Sequence, residues 1–419
     1  MELPRRNILC IDLKSFFASC ECIDKGLDPF TTPLVVANKK QGNGAITLAV
    51  TPYLKKQGVK SRGRLYEIPS NVKYIIANPR MRLYIEMSKK VVEIYLNYIS
   101  SDDLHIYSVD ECFLDVTDYL KLYNKTDYEL GLTILKDIKE KLGLTATCGI
   151  GPNMLLAKLA MDIEAKKNES YIAKWSYEDI KDKLWPLTPL SEMWGIGKNM
   201  ERNLNKLKIY TIGDLANYNK NILKDKFGVM GEELWNHANG IDLSKISDWK
   251  KIRKSYSFSH SQVLFKNYYD YNAPIIIEEM IGVLTERLRR HNKQTSVIGL
   301  RIGYSKTYGG GFYHNMKIEN PTDNPDTIFD ICKLLFDKYY TDKAPIRLIG
   351  ISLGNLKDKK GVQLDIFSPF NEIKEHENLD KAIDNIKFKY GKNMLLKGSS
   401  LLEDSTIKVR NEKIGGHHE

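Results

Sequence analysis

The feature that most limits how this chain can fold is a set of carboxylates placed where apolar strands should be. Residues Asn7 to Leu13 read Asn-Ile-Leu-Cys-Ile-Asp-Leu, a short apolar run of the kind that forms a buried strand, with Asp12 at its end. Far downstream, Leu104 to Val116 alternates and then runs Val109-Asp110-Glu111-Cys112-Phe113-Leu114-Asp115-Val116. That pattern predicts two strands joined by a tight acidic turn, or one strand bent at Asp110 and Glu111. An Asp at a strand end is commonly a cap or a turn residue. Adjacent acids flanked on both sides by β-formers need more, because a buried carboxylate is costly without a cation or hydrogen bonds. With Asp12 beside Asp110 and Glu111 on neighbouring strands, the three carboxylates make a pocket of hard oxygen ligands suited to Mg2+. Two such ions, about 3.5–4 Å apart, would activate a 3′-hydroxyl and stabilise a leaving pyrophosphate.

Composition narrows the partners. The 419 residues allow about three domains and a sizeable core. An excess of 63 Lys and Arg over 53 Asp and Glu, net +10, favours a polyanionic partner without specifying it. The cysteines Cys10, Cys20, Cys22, Cys112, Cys148 and Cys332 form no Cys-x-x-Cys pair and have no His at zinc-site spacing, which points to reduced thiols and argues against structural zinc. No signal-peptide pattern and no apolar run of spanning length is present, so a soluble, cytoplasmic protein with no membrane association is expected.

In chain order, a helix is expected after Ser15, with Phe16, Phe17 and Cys20 on one face. Leu34 to Ala37 reads as a strand and Gln41 to Ile46 as a glycine-bearing turn. Thr51 before Pro52 predicts a helix start and Gly58 its stop. That helix carries Lys55 and Lys56, either a solvated basic face or a grip on phosphate. Helices are expected over Pro79 to Tyr98, Tyr128 to Leu142 and Asn153 to Ala165, the last carrying Lys158, with a strand over Thr145 to Ile150. Ser176 to Asn239 reads as small helices with two glycine turns, Gly195-Ile196-Gly197 and Gly228 to Gly231. After a basic connector, Trp249 to Lys254, an α+β unit follows: strands over Ser255 to Phe265, Ser296 to Tyr304 and Ile346 to Leu353, helices over Pro274 to His291 and Asp326 to Tyr340. From Lys357 the chain reads as a polar tail with one apolar knot, Val362 to Phe367, either a stray strand or an anchor for a partner's pocket.

Three stretches together carry a resemblance: Ile-Asp-Leu-Lys-Ser-Phe-Phe-Ala-Ser-Cys-Glu from Ile11, Ser108-Val-Asp-Glu-Cys-Phe-Leu-Asp115, and Cys148-Gly-Ile-Gly-Pro-Asn-Met-Leu-Leu-Ala-Lys-Leu-Ala-Met-Asp162. In this order and spacing they resemble the Y-family, translesion DNA polymerases, closest to the bacterial polymerase IV and polymerase V catalytic-subunit branches. The likeness extends across residues 7 to 370. It implies an α+β right-hand polymerase: a ferredoxin-like palm (1–30 and 78–170), small fingers (31–77), a helical thumb with helix-hairpin-helix turns (171–244), a little finger (245–356) and a tail (357–419). It implies a low-fidelity, template-directed DNA polymerase acting in damage tolerance, using two Mg2+ ions, primer-template DNA and dNTPs. The chain would be a monomer, with room for accessory subunits.

Carried over by position, Asp12 and Asp110 would bridge the metals, Glu111 would serve the primer-side metal and Leu13 would lend its carbonyl. Phe16 and Phe17 fall at the nucleotide-binding positions: Phe17 matches the steric gate that excludes a 2′-hydroxyl, and the alternative of a core Phe on an apolar helix face fits Phe16 better. Lys158 and Lys55 match triphosphate contacts. Gly195, Gly197 and Lys198 resemble a helix-hairpin-helix turn whose amides hold a DNA phosphate, though such turns are often structural. Lys251 and Arg253 of the connector, with Arg287 and Arg289 downstream, would give the duplex electrostatic footing. Gln363, Leu364, Ile366 and Phe367 resemble a bacterial sliding-clamp-binding peptide. The chain departs from many members in carrying Lys14 and Ser15 before the gate, and Thr51-Pro52 where a fingers Tyr is usual. If those small residues line the base pair, they leave room for bulky template bases. Two rivals are weaker: a non-catalytic DNA-binding protein has no reason to keep clustered acids, and a nucleotide cyclase has no use for a basic downstream half.

Overall fold

The computed structural model describes residues 3–250, 256–341, 343–359, 370–414 and 417–418. It divides into two units, residues 1–251 with 417–419, and residues 252–416.

The first unit is built on a five-stranded sheet. Its strands are β1 (Ile8–Leu13), β5 (Leu104–Ile106), β6 (Glu111–Asp115), β7 (Ala146–Gly151) and β8 (Ile172–Lys174), in the order β5-β6-β1-β7-β8. β1 lies at the centre, antiparallel to both β6 and β7. Successive side chains of a strand point to opposite faces, and here the two faces have different covers. Leu9, Ile11 and Leu13, with Cys112 and Leu114 of β6, share a core with the helices α1 (Phe16–Asp24), α3 (Met81–Leu96) and α5 (Asp127–Leu142). Ile8, Cys10 and Phe113 pack instead on Met154, Ala157 and Met161 of α6 (Met154–Leu159) and its continuation. Asp12 and Glu111 fall on this second face by the same alternation.

Glycine permits that packing. A Cβ on Gly149 would meet the backbone of Ala157 and Met161, and one on Gly151 the backbone at Leu156 and Ala157, so α6 lies directly on β7. The helix expected over Asn153 to Ala165 starts as read, with the Asn153 side chain accepting from the Leu156 amide. After Leu159 it changes to a π-helical segment, Ala160–Ala165, in which the Lys166 amide donates to the Met161 carbonyl, five residues back.

A second small sheet joins β2 (Leu34–Ala37), β3 (Thr47–Val50) and β4 (Ile75–Ala77) in the order β3-β2-β4, over its own core of Val35, Val50, Leu54 and Leu65. α2 (Pro52–Lys56) starts at Thr51, as expected. The Thr51 hydroxyl leaves the helix uncapped; it donates to the Thr32 carbonyl and accepts from the Leu34 amide, tying helix start to strand. A one-turn helix α4 (Leu120–Tyr123) precedes α5, whose Gly143 stop has a positive φ of 70°. The small helices that follow include α7 (Lys198–Asn205), α8 (Ile212–Asn217), α9 (Lys220–Phe227) and α10 (Val229–Ala238).

The second unit is a four-stranded antiparallel sheet, β11-β10-β12-β9, made of β9 (Phe258–Tyr268), β10 (Lys293–Tyr304), β11 (Gly311–Thr322) and β12 (Ile346–Gly354). The short strand β13 (Lys357–Asp358) pairs with the start of β10. α11 (Ala273–Arg290) and α12 (Pro325–Tyr339) supply the rest of its core. Among the elements unread in sequence are two long ones of this unit. β11 alternates Phe312, His314, Met316 and Ile318 with exposed Tyr313, Asn315, Lys317 and Glu319, but enters through three consecutive glycines. Within the supposedly polar tail runs a 21-residue helix, α13 (Phe370–Tyr390).

Replacing Gly149 by Ala is expected to destabilise the first unit by about 3 kcal/mol, because the added methyl meets helix backbone that cannot swing away. A chemical-denaturation midpoint within error of the parent's would refute the close packing of α6 on β7.

Candidate active site

The register of the central sheet brings the acids together. Asp12 lies directly opposite Glu111 across the β1–β6 pair and opposite Thr147 across the β1–β7 pair. Asp110 sits in the turn between β5 and β6, and its carbonyl accepts from the Leu13 amide at 2.9 Å. The two-strand alternative is therefore the one formed. Each carboxylate has a different partner: Ser108 Oγ donates to Asp110 Oδ1 at 2.6 Å, Lys158 Nζ to Glu111 Oε2 at 2.7 Å and Lys166 Nζ to Asp12 Oδ2 at 3.3 Å.

Two of these pairs belong to one chain of alternating charge. Lys158 also reaches Asp162 Oδ2 at 3.1 Å, and Lys166 reaches Asp162 Oδ1 at 2.7 Å, so Asp162 links the Glu111–Lys158 pair to the Lys166–Asp12 pair. Lys158, Asp162 and Lys166 follow at intervals of four, and the π segment carries the last of them over the end of β1. Burial opposes charge on Lys158, but Cys10, Asp162 and Glu111 outweigh it and hold its ammonium above the ordinary value. Lys166 is likewise raised: burial works against it, and Asp12 and Asp162 prevail. For Asp12 the balance runs the other way. Burial, helped by the neighbouring Asp110 and Glu111 and countered by Lys166, pushes its carboxyl up to about 6.

The lysines therefore differ from their sequence reading. Lys158 is a triphosphate contact by resemblance, yet its side chain is 8% exposed and its ammonium is engaged by Glu111 and Asp162. Lys166, which sequence reasoning passed over, is 37% exposed and stands against Asp12. The π turn that places it leaves no periodic signal. Lys55 is solvent-facing near the same acid: burial lowers its pKa, Asp12 opposes this and Lys166 adds to it. Lys14 is half-buried, 4.2 Å from the centroid of the Tyr171 ring, with its pKa lowered by burial and by Lys55, Lys56 and Lys166. A positive collar thus surrounds Asp12.

Phe16 is buried in the sheet core, and half-buried Phe17 stacks on Tyr84 at 4.3 Å between centroids and 14° between planes. Tyr84 is fixed by its hydroxyl donating to Glu21 Oε1 at 2.9 Å, and Arg80 donates to both Glu21 oxygens. The turn at Gly195 and Gly197 is exposed and leads into α7 with Lys198 as its first residue. Arg287 lies over the Phe258 ring at 4.2 Å. Arg289, expected as duplex footing, donates to both carboxylate oxygens of Asp384, at 2.7 and 2.9 Å, and to Asp380, with 15% of its side chain exposed. Lys251, Arg253 and the peptide Gln363 to Phe367 lie outside the described residues.

Among the described residues, no three Asp, Glu, His or Cys side chains converge closely enough to hold an ion as they stand. Lysines and a serine hydroxyl draw the carboxylates toward separate donors. The donor set still suits a hard divalent cation, since it is all oxygen, and burial beside two further carboxylates makes the charged form of Asp12 costly without a cation.

The sheet thus carries acids at adjoining strand ends beside a cluster of lysines, and likeness to known proteins gives its lineage. Residues 11–162 match the model of the impB/mucB/samB family, residues 255–366 that family's C-terminal domain and residues 177–209 the IMS family HHH motif. The chain is 40% identical to the putative UV-damage repair protein UvrX of Bacillus subtilis strain 168, over 99% of this chain and 98% of that one. It is 31% identical to DNA polymerase IV 2 of the same strain over 99% and 100%, and 33% identical to DNA polymerase IV of Clostridium acetobutylicum over 94% and 98%. A solved Y-family DNA polymerase chimera, Dbh-Dpo4(243-245)-Dbh, shares the fold with a TM-score of 0.64 at 22% identity, covering 84% of this chain and 99% of its own. The chain belongs to the impB/mucB/samB family of Y-family DNA polymerases.

The Asp12 environment sets a pH dependence. Its folded pKa of about 6 lies above the ordinary 3.8, so ionising Asp12 costs stability. The cost is absent below about pH 4, grows as pH rises and is complete above about pH 6, where it reaches about 3 kcal/mol. Asp12→Asn removes it, so without divalent cations the variant should gain on the parent by that amount between pH 4 and 7. Parallel stability profiles, measured by denaturant titration, would refute the assignment.

Proposed function

We propose that this Y-family DNA polymerase carries out template-directed, low-fidelity transfer of dNTPs to a primer 3′-hydroxyl, in translesion synthesis and DNA damage tolerance, with Asp12, Asp110 and Glu111 as its catalytic acids. The observation that carries this reading is the sheet register: Asp12 faces Glu111, and Asp110 is bonded to the residue after Asp12. Asp12, Asp110, Glu111 and the Leu13 carbonyl would hold two Mg2+ ions, which when bound supply charge neutralisation at the attacking hydroxyl and the leaving pyrophosphate.

The chain's own groups do the rest. Lys158 holds Glu111 in place across a buried ion pair and leaves triphosphate binding to Lys166 and Lys55, both at the rim. Phe17 is fixed against Tyr84, so its ring cannot retreat from an incoming sugar; that rigidity supports its role as the gate against a 2′-hydroxyl. Gly195, Gly197 and Lys198 offer exposed amides and a cation to a DNA phosphate without reading sequence. The segment Gln363 to Phe367 would bind a bacterial sliding clamp.

Two measurements test the reading. On primed template with Mg2+, the parent should add dNTPs and Asp110→Ala should be slower by about a thousandfold or more; no incorporation by the parent would refute the activity, and an active variant would refute the site. Phe17→Ala should raise ribonucleotide relative to deoxyribonucleotide incorporation by roughly tenfold to a hundredfold. An unchanged ratio would remove Phe17 as the gate.

A further inference from the structure

Lys14 is a cation to which the resemblance assigns no role. Its amide donates to the Thr145 carbonyl at 2.8 Å, which adds one rung to the β1–β7 ladder beyond Leu13 and Ala146. Side chains two apart on a strand share a face, so Lys14 leaves the sheet on the side of Asp12. There its ammonium lies over the Tyr171 ring, 4.2 Å from the centroid.

Two observations separate it from a solvated surface lysine. The first is the charge around it. Lys55, Lys56 and Lys166 all act on Lys14 as like charges, whereas among the described residues no Asp or Glu forms an ion pair with Lys14, Lys55 or Lys56. Ammoniums gathered at one rim repel one another, and the acids there serve only Lys166, through Asp12 and Asp162. The gathering is complete only with an anion. The second observation is the seat. Tyr171 has a positive φ of 57°, the left-handed region that bulky side chains rarely adopt, and its carbonyl accepts from the Cys148 amide at 2.8 Å at the entry to β8. The ring is therefore held beneath Lys14 by the sheet at the expense of backbone strain.

We infer that Lys14, seated on Tyr171, is a further phosphate-binding residue of the nucleotide site and grips the triphosphate of the incoming dNTP together with Lys55 and Lys166. The inference rests on the polymerase reading above and adds to it a residue and its support. A triphosphate gathers several negative charges in one place and matches a cluster of lysines; a single DNA phosphate carries one charge and leaves most of the cluster unmatched. A cation already fixed on an aromatic face also loses less freedom on binding than a free one.

The test uses the full chain on a primer-template whose primer ends in a dideoxynucleotide, so that the correct dNTP binds with Mg2+ without reacting, and follows that binding by calorimetry. Lys14→Gln should weaken dNTP binding by about tenfold. Tyr171→Leu should weaken it by roughly threefold, while Tyr171→Phe, which keeps the ring face, should bind as the parent does. With a reactive primer, the loss in Lys14→Gln should fall on the KM for dNTP more than on kcat. Primer-template affinity without dNTP, read by anisotropy, should not move. Equal dNTP affinity in the parent and Lys14→Gln overturns this inference and leaves the polymerase reading standing, and so does a loss of primer-template affinity in its place. A parent that binds dNTP yet extends no primer overturns the polymerase reading, and the calorimetry still decides the role of Lys14.

Discussion

The structure depends on one electrostatic problem, the crowding of carboxylates at the corner where β1, β6 and the turn between β5 and β6 meet. Asp12 faces Glu111 across the sheet, and Asp110 is tied by its carbonyl to the next rung. Side chains so placed repel one another and resist desolvation, so the sheet would open there unless cations were supplied. They come from a single helix on the same face. Lys158 and Lys166 bracket Asp162 and neutralise Glu111 and Asp12 from one side, which requires α6 to lie hard against β7. The glycines at 149 and 151 make that approach possible. Fold and site are thus one arrangement: the glycines of a strand admit a helix, and the helix brings the charges that let the acids coexist.

Neutralisation is incomplete, and this gives the corner its chemical bias. Glu111 has a buried ammonium at 2.7 Å, whereas Asp12 has a more exposed one at 3.3 Å and keeps a raised pKa. Burial, with Asp110 and Glu111 nearby, keeps the charged form of Asp12 costly. Lys166 and Lys55 beside Asp12, with Lys14 close to both, give a polyphosphate its own attraction to the same place.

Much of this was legible in sequence because it rests on local rules. Acids that end or interrupt apolar strands are conspicuous, and alternation alone places Asp12 and Glu111 on a common face. Gly143 after an amphipathic run and Pro52 after Thr51 mark helix ends by backbone chemistry. Long-range pairings were not legible. Arg289 reads as a free cation until a helix some ninety residues later brings Asp380 and Asp384 to it. Lys158 reads as an open cation until the fold buries it against Glu111 and Asp162, and Lys166, unread in sequence, is brought to Asp12 by the π turn. β11 was lost because its glycine entry and polar outer face hide a weak alternation, and α13 because much of the face it shows is polar.

If Asp12, Asp110 and Glu111 hold a hard divalent cation together with a nucleotide, as proposed, removing the Asp12 carboxylate removes that binding. The most direct measurement is thermal unfolding of the parent and of Asp12→Asn near neutral pH, each with a fixed dNTP concentration and increasing Mg2+. The parent's midpoint should climb with Mg2+ while the variant's stays nearly flat. Equal climbs in the two proteins would contradict it.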